Sequence, residues 1–111
     1  MLMTRTAETG IALIITPMSG RVGLRLVGEV DLATAPDLDA ALDELLDGDR
    51  DVHLDLAELR FVDIKGAAVL VAAAARLAPG RSLVLHGPPP ALREIVDRFW
   101  SDVVRIRLDE S

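Results

Sequence analysis

"VHLDLAELRFVDIKGAAVLV", residues 52–71, carries two periodicities in succession. Val52, Leu54 and Leu56 alternate with His53 and Asp55, the two-residue repeat of a strand with one apolar and one polar face. The strand is placed at Val52–Leu56, the stretch from Leu59 runs out of hydrophobics into Asp63, and from Ile64 to about Leu77 the chain is rich in alanine and apolar almost all round. That pattern predicts a strand, a sharp corner, and a helix lying central in a helical layer, closely approached by its neighbours. Asp63 suits the N-cap, where a short carboxylate accepts hydrogen bonds from the backbone N–H groups of the first turn. Gly66 has two readings: it lets a partner's backbone approach the helix start, or it merely permits close packing.

Outward from this unit, Ile11–Thr16 and Val22–Gly28 read as two strands joined by "PMSGR", an antiparallel hairpin. A first helix follows, with Leu38, Ala41, Leu42, Leu45 and Leu46 on one stripe and acidic residues opposite; Thr34 is its expected cap, Pro36 and Asp37 suit its first turn, and Gly48 ends it. Beyond the central unit, Ser82–His86 is a strand and "GPPP" a rigid turn. Ala91–Trp100 is a third helix with Leu92, Ile95, Val96 and Phe99 on its buried face and Trp100 off that stripe, and Val103–Leu108 closes as a strand. The order is ββαβαβαβ, a single α/β domain over residues 1–111 with its core at about 11–108. Val104, Ile106 and Leu108 oppose Arg105 and Arg107, and Leu24 and Leu26 oppose Arg25. A sheet buried on both faces would show continuous hydrophobic strands instead. The expected architecture is therefore an open mixed sheet with helices packed mainly on one face.

Composition narrows function. A chain of 111 residues, half of them hydrophobic, buries roughly 65% of its unfolded surface without a metal or disulfide. The absence of cysteine excludes thiol catalysis and thiolate metal sites. The longest apolar run, Gly66–Ala75, is too short to span a bilayer and the N-terminus lacks a signal core, so the expectation is a cytoplasmic protein with no membrane insertion. A net charge of −6 and only three aromatic residues (Phe61, Phe99, Trp100) argue against direct nucleic-acid binding. His53 and His86 each fall in the polar phase of their own strand and lack a recognisable ligand spacing, so they read as solvated sheet residues and no metal or cofactor is expected. No nucleophile with its base, carboxylate dyad or glycine-rich phosphate loop appears, and no enzyme activity is expected.

Two stretches at their characteristic separation, "LVGEVDLATAPDL" (26–38) and the 52–71 unit, together with the closing strand–helix–strand order, resemble the STAS domain. This family includes the bacterial anti-sigma factor antagonists and the cytoplasmic domains of sulfate transporters, and the resemblance covers nearly the whole chain. In the antagonists, the corner after the aspartate carries a serine or threonine that a partner kinase, itself the anti-sigma factor, phosphorylates. Here the matching positions are Asp63, Ile64, Lys65 and Gly66, and neither central residue has a hydroxyl. Phosphoryl transfer to a serine-type acceptor needs that oxygen. Nor does the corner imitate the phosphorylated state, because a phosphate adds about −1.5 to −2 charge whereas Lys65 adds the opposite sign.

The resemblance implies a partner-binding rim of Glu29, Asp31, Asp63, Ile64, Lys65 and Gly66. Its plainer alternative is that Asp63 is only a cap and that Glu29 and Asp31 only end a strand. The implied function is an interaction module binding an anti-sigma factor, a serine-kinase-like protein, or a larger signalling assembly. The alternative is an accessory subunit docked on the cytoplasmic face of a membrane transporter. The sequence leaves room for a homodimer.

Overall fold

The computed structural model describes residues 2–5, 11–100 and 105–109. Six strands form one sheet in sequential order: β1 (Leu2–Arg5), β2 (Ile11–Pro17), β3 (Gly23–Val30), β4 (Val52–Val62), β5 (Leu83–His86) and β6 (Ile106–Asp109). β1 to β3 pair antiparallel and β3 to β6 parallel, which makes the sheet mixed as expected. Three helices fill the crossovers: α1 (Ala35–Asp43), α2 (Ile64–Ala75) and α3 (Pro90–Phe99). Each parallel crossover advances one strand in the same direction, so crossovers of one hand deliver all three helices to the same face. α2 lies between α1 and α3, the central place its all-round apolar surface foretells.

The core is the seam between that layer and the sheet. Leu13, Ile15, Leu24, Leu26, Val30, Leu54, Leu56, Leu83 and Leu85 rise from the strands to meet Leu38 and Leu42 of α1, Leu70 and Ala74 of α2, and Leu92 and Val96 of α3. The alternate positions Arg25, His53, Asp55, His86, Arg107 and Asp109 occupy the uncovered face.

β4 runs to Val62, six residues beyond the end of its clean alternation. Its register against β3 explains why: Arg25 pairs with Asp55 but Val27 with Glu58, and Gly28 with Leu59 but Glu29 with Phe61. Each shift inserts one extra residue in β4, and each bulge breaks the two-residue period. Buried positions accordingly pass from 52, 54 and 56 to 59 and 62.

Several expectations are corrected. β1 stands ahead of the anticipated first strand; its four residues are too few to show a period. The closing strand begins at Ile106, and the expected residues 103 and 104 lie outside the described residues. α1 ends at Asp43, with turns carrying the chain onward. Thr34 occupies the N-cap position of α1 but makes no capping bond; its hydroxyl faces backward, accepting from Asp31 N at 2.9 Å and donating to Glu29 O at 3.1 Å. At the end of α3 the aromatic roles are exchanged. Trp100 leaves helical geometry (φ −137°, ψ 39°) and packs on the core, while Phe99 is 56% exposed with its ring 6.0 Å from the indole.

Two arginine links, one buried and one partly buried, tie the helical layer together. Arg81, buried, donates through Nη1 to Leu46 O at 2.7 Å and through Nε to Arg50 O, satisfying carbonyls in the turns after α1. Arg105 does the same beyond α2, reaching Leu77 O at 2.6 Å.

Candidate functional site

The C-terminal ends of β3 and β4 and the start of α2 form one rim. Asp63 N donates to Val30 O at 3.0 Å, joining the two strand ends at the corner. Asp63 then turns into α2 with extended backbone (φ −89°, ψ −177°), and its Oδ1 accepts from Gly66 N at 2.9 Å. This is an N-cap in the full sense, the side chain satisfying a first-turn donor that the helix itself cannot.

The same economy holds across the corner in the turn between β3 and α1. Asp31 Oδ1 accepts from Ala33 N at 3.0 Å and Thr34 N at 3.1 Å, holding the loop that leads into α1. Glu29 extends from β3 and faces the Arg60 guanidinium at 3.7 Å.

Of the six residues singled out in the sequence, the fold brings all to one end of the sheet but gives them different work. Asp31 and Asp63 spend their carboxylates on backbone donors. Gly66 is buried, and a Cβ placed on it would meet Val30 Cγ1 at 2.6 Å and Val62 Cγ1 at 2.9 Å. At this position α2 packs closely onto its own strands. Ile64 and Lys65 face solvent, and Ile64 is 54% exposed although it is a large hydrophobic in the first turn of a helix.

Two neighbours that sequence reasoning passed over complete the rim. Phe61, 46% exposed, is turned outward by the second bulge of β4, and Leu32, 72% exposed, tops the β3–α1 turn held by Asp31. Leu32 had a signal, an apolar residue inside a turn sequence; Phe61 had none, because its direction depends on the bulge. This end of the sheet therefore carries three exposed apolar side chains, Leu32, Phe61 and Ile64, among the charged residues Glu29, Arg60 and Lys65. Concentrated exposed apolar surface with a charged border is the chemistry of a protein-binding edge.

The family described as "Mlab, STAS domain" matches residues 17–104. The chain belongs to the STAS-domain family. Its STAS fold is similar to that of an anti-sigma factor antagonist from Mycobacterium paratuberculosis, with a TM-score of 0.70 and 22% identity over 96% of this chain and 92% of the other. It is also similar to the anti-sigma factor antagonist SpoIIAA in its unphosphorylated form, with a TM-score of 0.62 and 18% identity over 87% of each chain. Among curated proteins none matches the sequence. The fold is thus that of the anti-sigma factor antagonists, and no helix among the described residues is long and apolar enough to cross a membrane.

Proposed function

We propose that this STAS domain is a non-enzymatic interaction module of the antagonist type that acts in the cytoplasm. It docks a kinase-type anti-sigma factor, or a signalling assembly containing one, through the rim of Leu32, Phe61, Ile64 and Lys65. Asp31, Asp63 and Gly66 hold that rim in shape, and Glu29 sets its charge. The observation that carries the reading is Ile64: the first residue of α2, beside the Asp63 cap, half-exposed, and standing where the family's corner has a hydroxyl. With no acceptor oxygen at Ile64 or Lys65, the module is not switched off by phosphorylation of its own corner. It stays in a binding-competent state, and regulation falls to the partner.

Affinity comes from the apolar centre, whereas the charged border steers association. The test is Ile64→Asp, which sets an unpaired carboxylate at the centre of the contact. Isothermal titration against the partner recovered from the native cell should show at least about a tenfold loss, about 1.4 kcal/mol. The wild-type protein, incubated with ATP and an anti-sigma kinase, should gain no phosphate by intact mass. Equal affinity of wild type and Ile64→Asp would remove the rim as the interface. Recovery of a permease in place of a kinase would favour the transporter-subunit reading.

A further inference from the structure

The face of the sheet left open by the helices carries a polar system of its own. Parallel pairing sets Arg25, Asp55, His86 and Asp109 in one row across β3, β4, β5 and β6. His86 therefore stands between two carboxylate-bearing neighbours. One step back along the strands, His53 of β4 pairs with Val84 of β5, and Val84 with Arg107 of β6. Val84 is buried although it points away from the helices, flanked in its row by those two long polar side chains.

His53 reaches diagonally to His86. Their rings stack with centroids 5.1 Å apart, and His53 Nδ1 lies 2.8 Å from His86 Nε2. The bonds around them set the proton positions. His86 Nδ1 is 3.1 Å from Asp109 Oδ2 and donates to it, which leaves a lone pair on Nε2 when the ring is neutral. His53 Nδ1–H is then the donor to Nε2. Arg21, from the turn between β2 and β3, places Nη1 3.3 Å from the same Nε2 and 3.4 Å from His53 Nδ1.

A nitrogen–nitrogen contact of this length is a hydrogen bond only while one atom keeps its lone pair. The bond holds with no added proton, and it holds with one, since either ring can donate to the other. With both rings charged, two N–H groups oppose each other beside the Arg21 guanidinium, and the contact fails. We propose that His53 and His86 form a proton-operated latch on the open face, closed while the pair holds at most one added proton and opened by the second, uncovering Val84.

The surrounding charges fit this device. Asp55 and Asp109 flank His86, and Arg25 lies beyond Asp55, at 3.9 Å. Near His53 stand Arg21, Asp51 and Arg107, the last two 3.3 Å apart. Burial, then Arg21 and His86, hold the His53 imidazole below its ordinary range against the opposing pull of Asp51. His53 lies eight residues from Phe61 along β4, about 25 Å at strand rise, so the latch stands or falls independently of the rim.

The experiment is an NMR titration of the whole chain from pH 8 to 4.5, following the imidazole Cε1–H signals and the accessibility of the Val84 methyls to a soluble paramagnetic agent. In the wild type the pair should titrate in two macroscopic steps more than one pH unit apart, with Val84 accessibility rising at least twofold in the second. His53→Gln, whose amide N–H can still donate to His86 Nε2, should show one step and a Val84 that stays covered. Two rings that titrate independently, each unmoved by replacing the other, would overturn the proposal, as would constant Val84 accessibility. If acid unfolds the protein before the second step, onset at higher pH in wild type than in His53→Gln supports the latch, and coincident onset refutes it.

Discussion

Replacing Gly66 with alanine tests whether the corner is built for internal packing. The added Cβ would lie 2.6 Å from Val30 Cγ1 and 2.9 Å from Val62 Cγ1, both closer than carbon atoms tolerate, and a tight 3.2 Å from Val30 Cβ. Both valines are fully buried at the ends of paired strands, and β-branched side chains have little rotamer freedom with which to yield. Overpacking of this kind costs about 1–3 kcal/mol. Alanine recovers up to about 1 kcal/mol through its better helix propensity. The net expectation is a loss of about 1–2 kcal/mol, or about 1 M in the urea midpoint at a slope of about 1.5 kcal/mol per M. Val30→Ala removes the nearest obstructing methyl and leaves that of Val62, so the double variant Gly66→Ala/Val30→Ala should be more stable than the sum of the single effects by about 0.5–1 kcal/mol. Equilibrium urea unfolding of the four proteins closes the cycle. A Gly66→Ala protein as stable as wild type, with additive effects in the double variant, would refute the packing argument and return the glycine to its other reading, access for a partner's backbone.

Arg81→Leu should cost about 1–3 kcal/mol, because it strips the donor from the buried carbonyl of Leu46 and one from the partly buried carbonyl of Arg50. Thermal unfolding measures it, and a midpoint within a degree or two of wild type would show that those carbonyls find other donors. Stability should fall as the solution is acidified through the histidine range. His53 is held below its ordinary value in the fold, so the unfolded chain binds its proton first. The contribution is fully present above the unfolded value of about 6.5 and is lost as pH drops through the folded one. Urea midpoints between pH 7.5 and 5 should show this slope in wild type and a shallower one in His53→Gln; identical slopes would remove His53 as its source.

How much of this was legible in the chain depended on the range of the interaction. Alternation in 52–56 and in 24–26 announced a sheet with one apolar face, and the helical stripes announced what covers it, because those periods belong to a few consecutive residues. The Asp63 cap is equally local, spanning three residues from carboxylate to Gly66 N–H. Recognition of the family rested on such local units and their spacing, and so did the missing hydroxyl at Ile64 and Lys65.

What needed the tertiary structure is whatever depends on pairing between distant segments. The bulges of β4 exist only relative to β3, and they alone turn Phe61 outward at the end of the sheet where Leu32 and Ile64 are also exposed. Gly66 has its meaning from Val30, thirty-six residues earlier in the chain. Arg81 reads as an ordinary surface cation until the carbonyls after α1 are placed around it. His53 and His86 were each correctly put on the polar phase of a strand, yet nothing in either strand says that they meet. Their contact follows from the parallel order β4, β5, β6 and its register, a choice made by the burial of the opposite face: the core fixes which strands lie side by side, and the open face receives the neighbours that result.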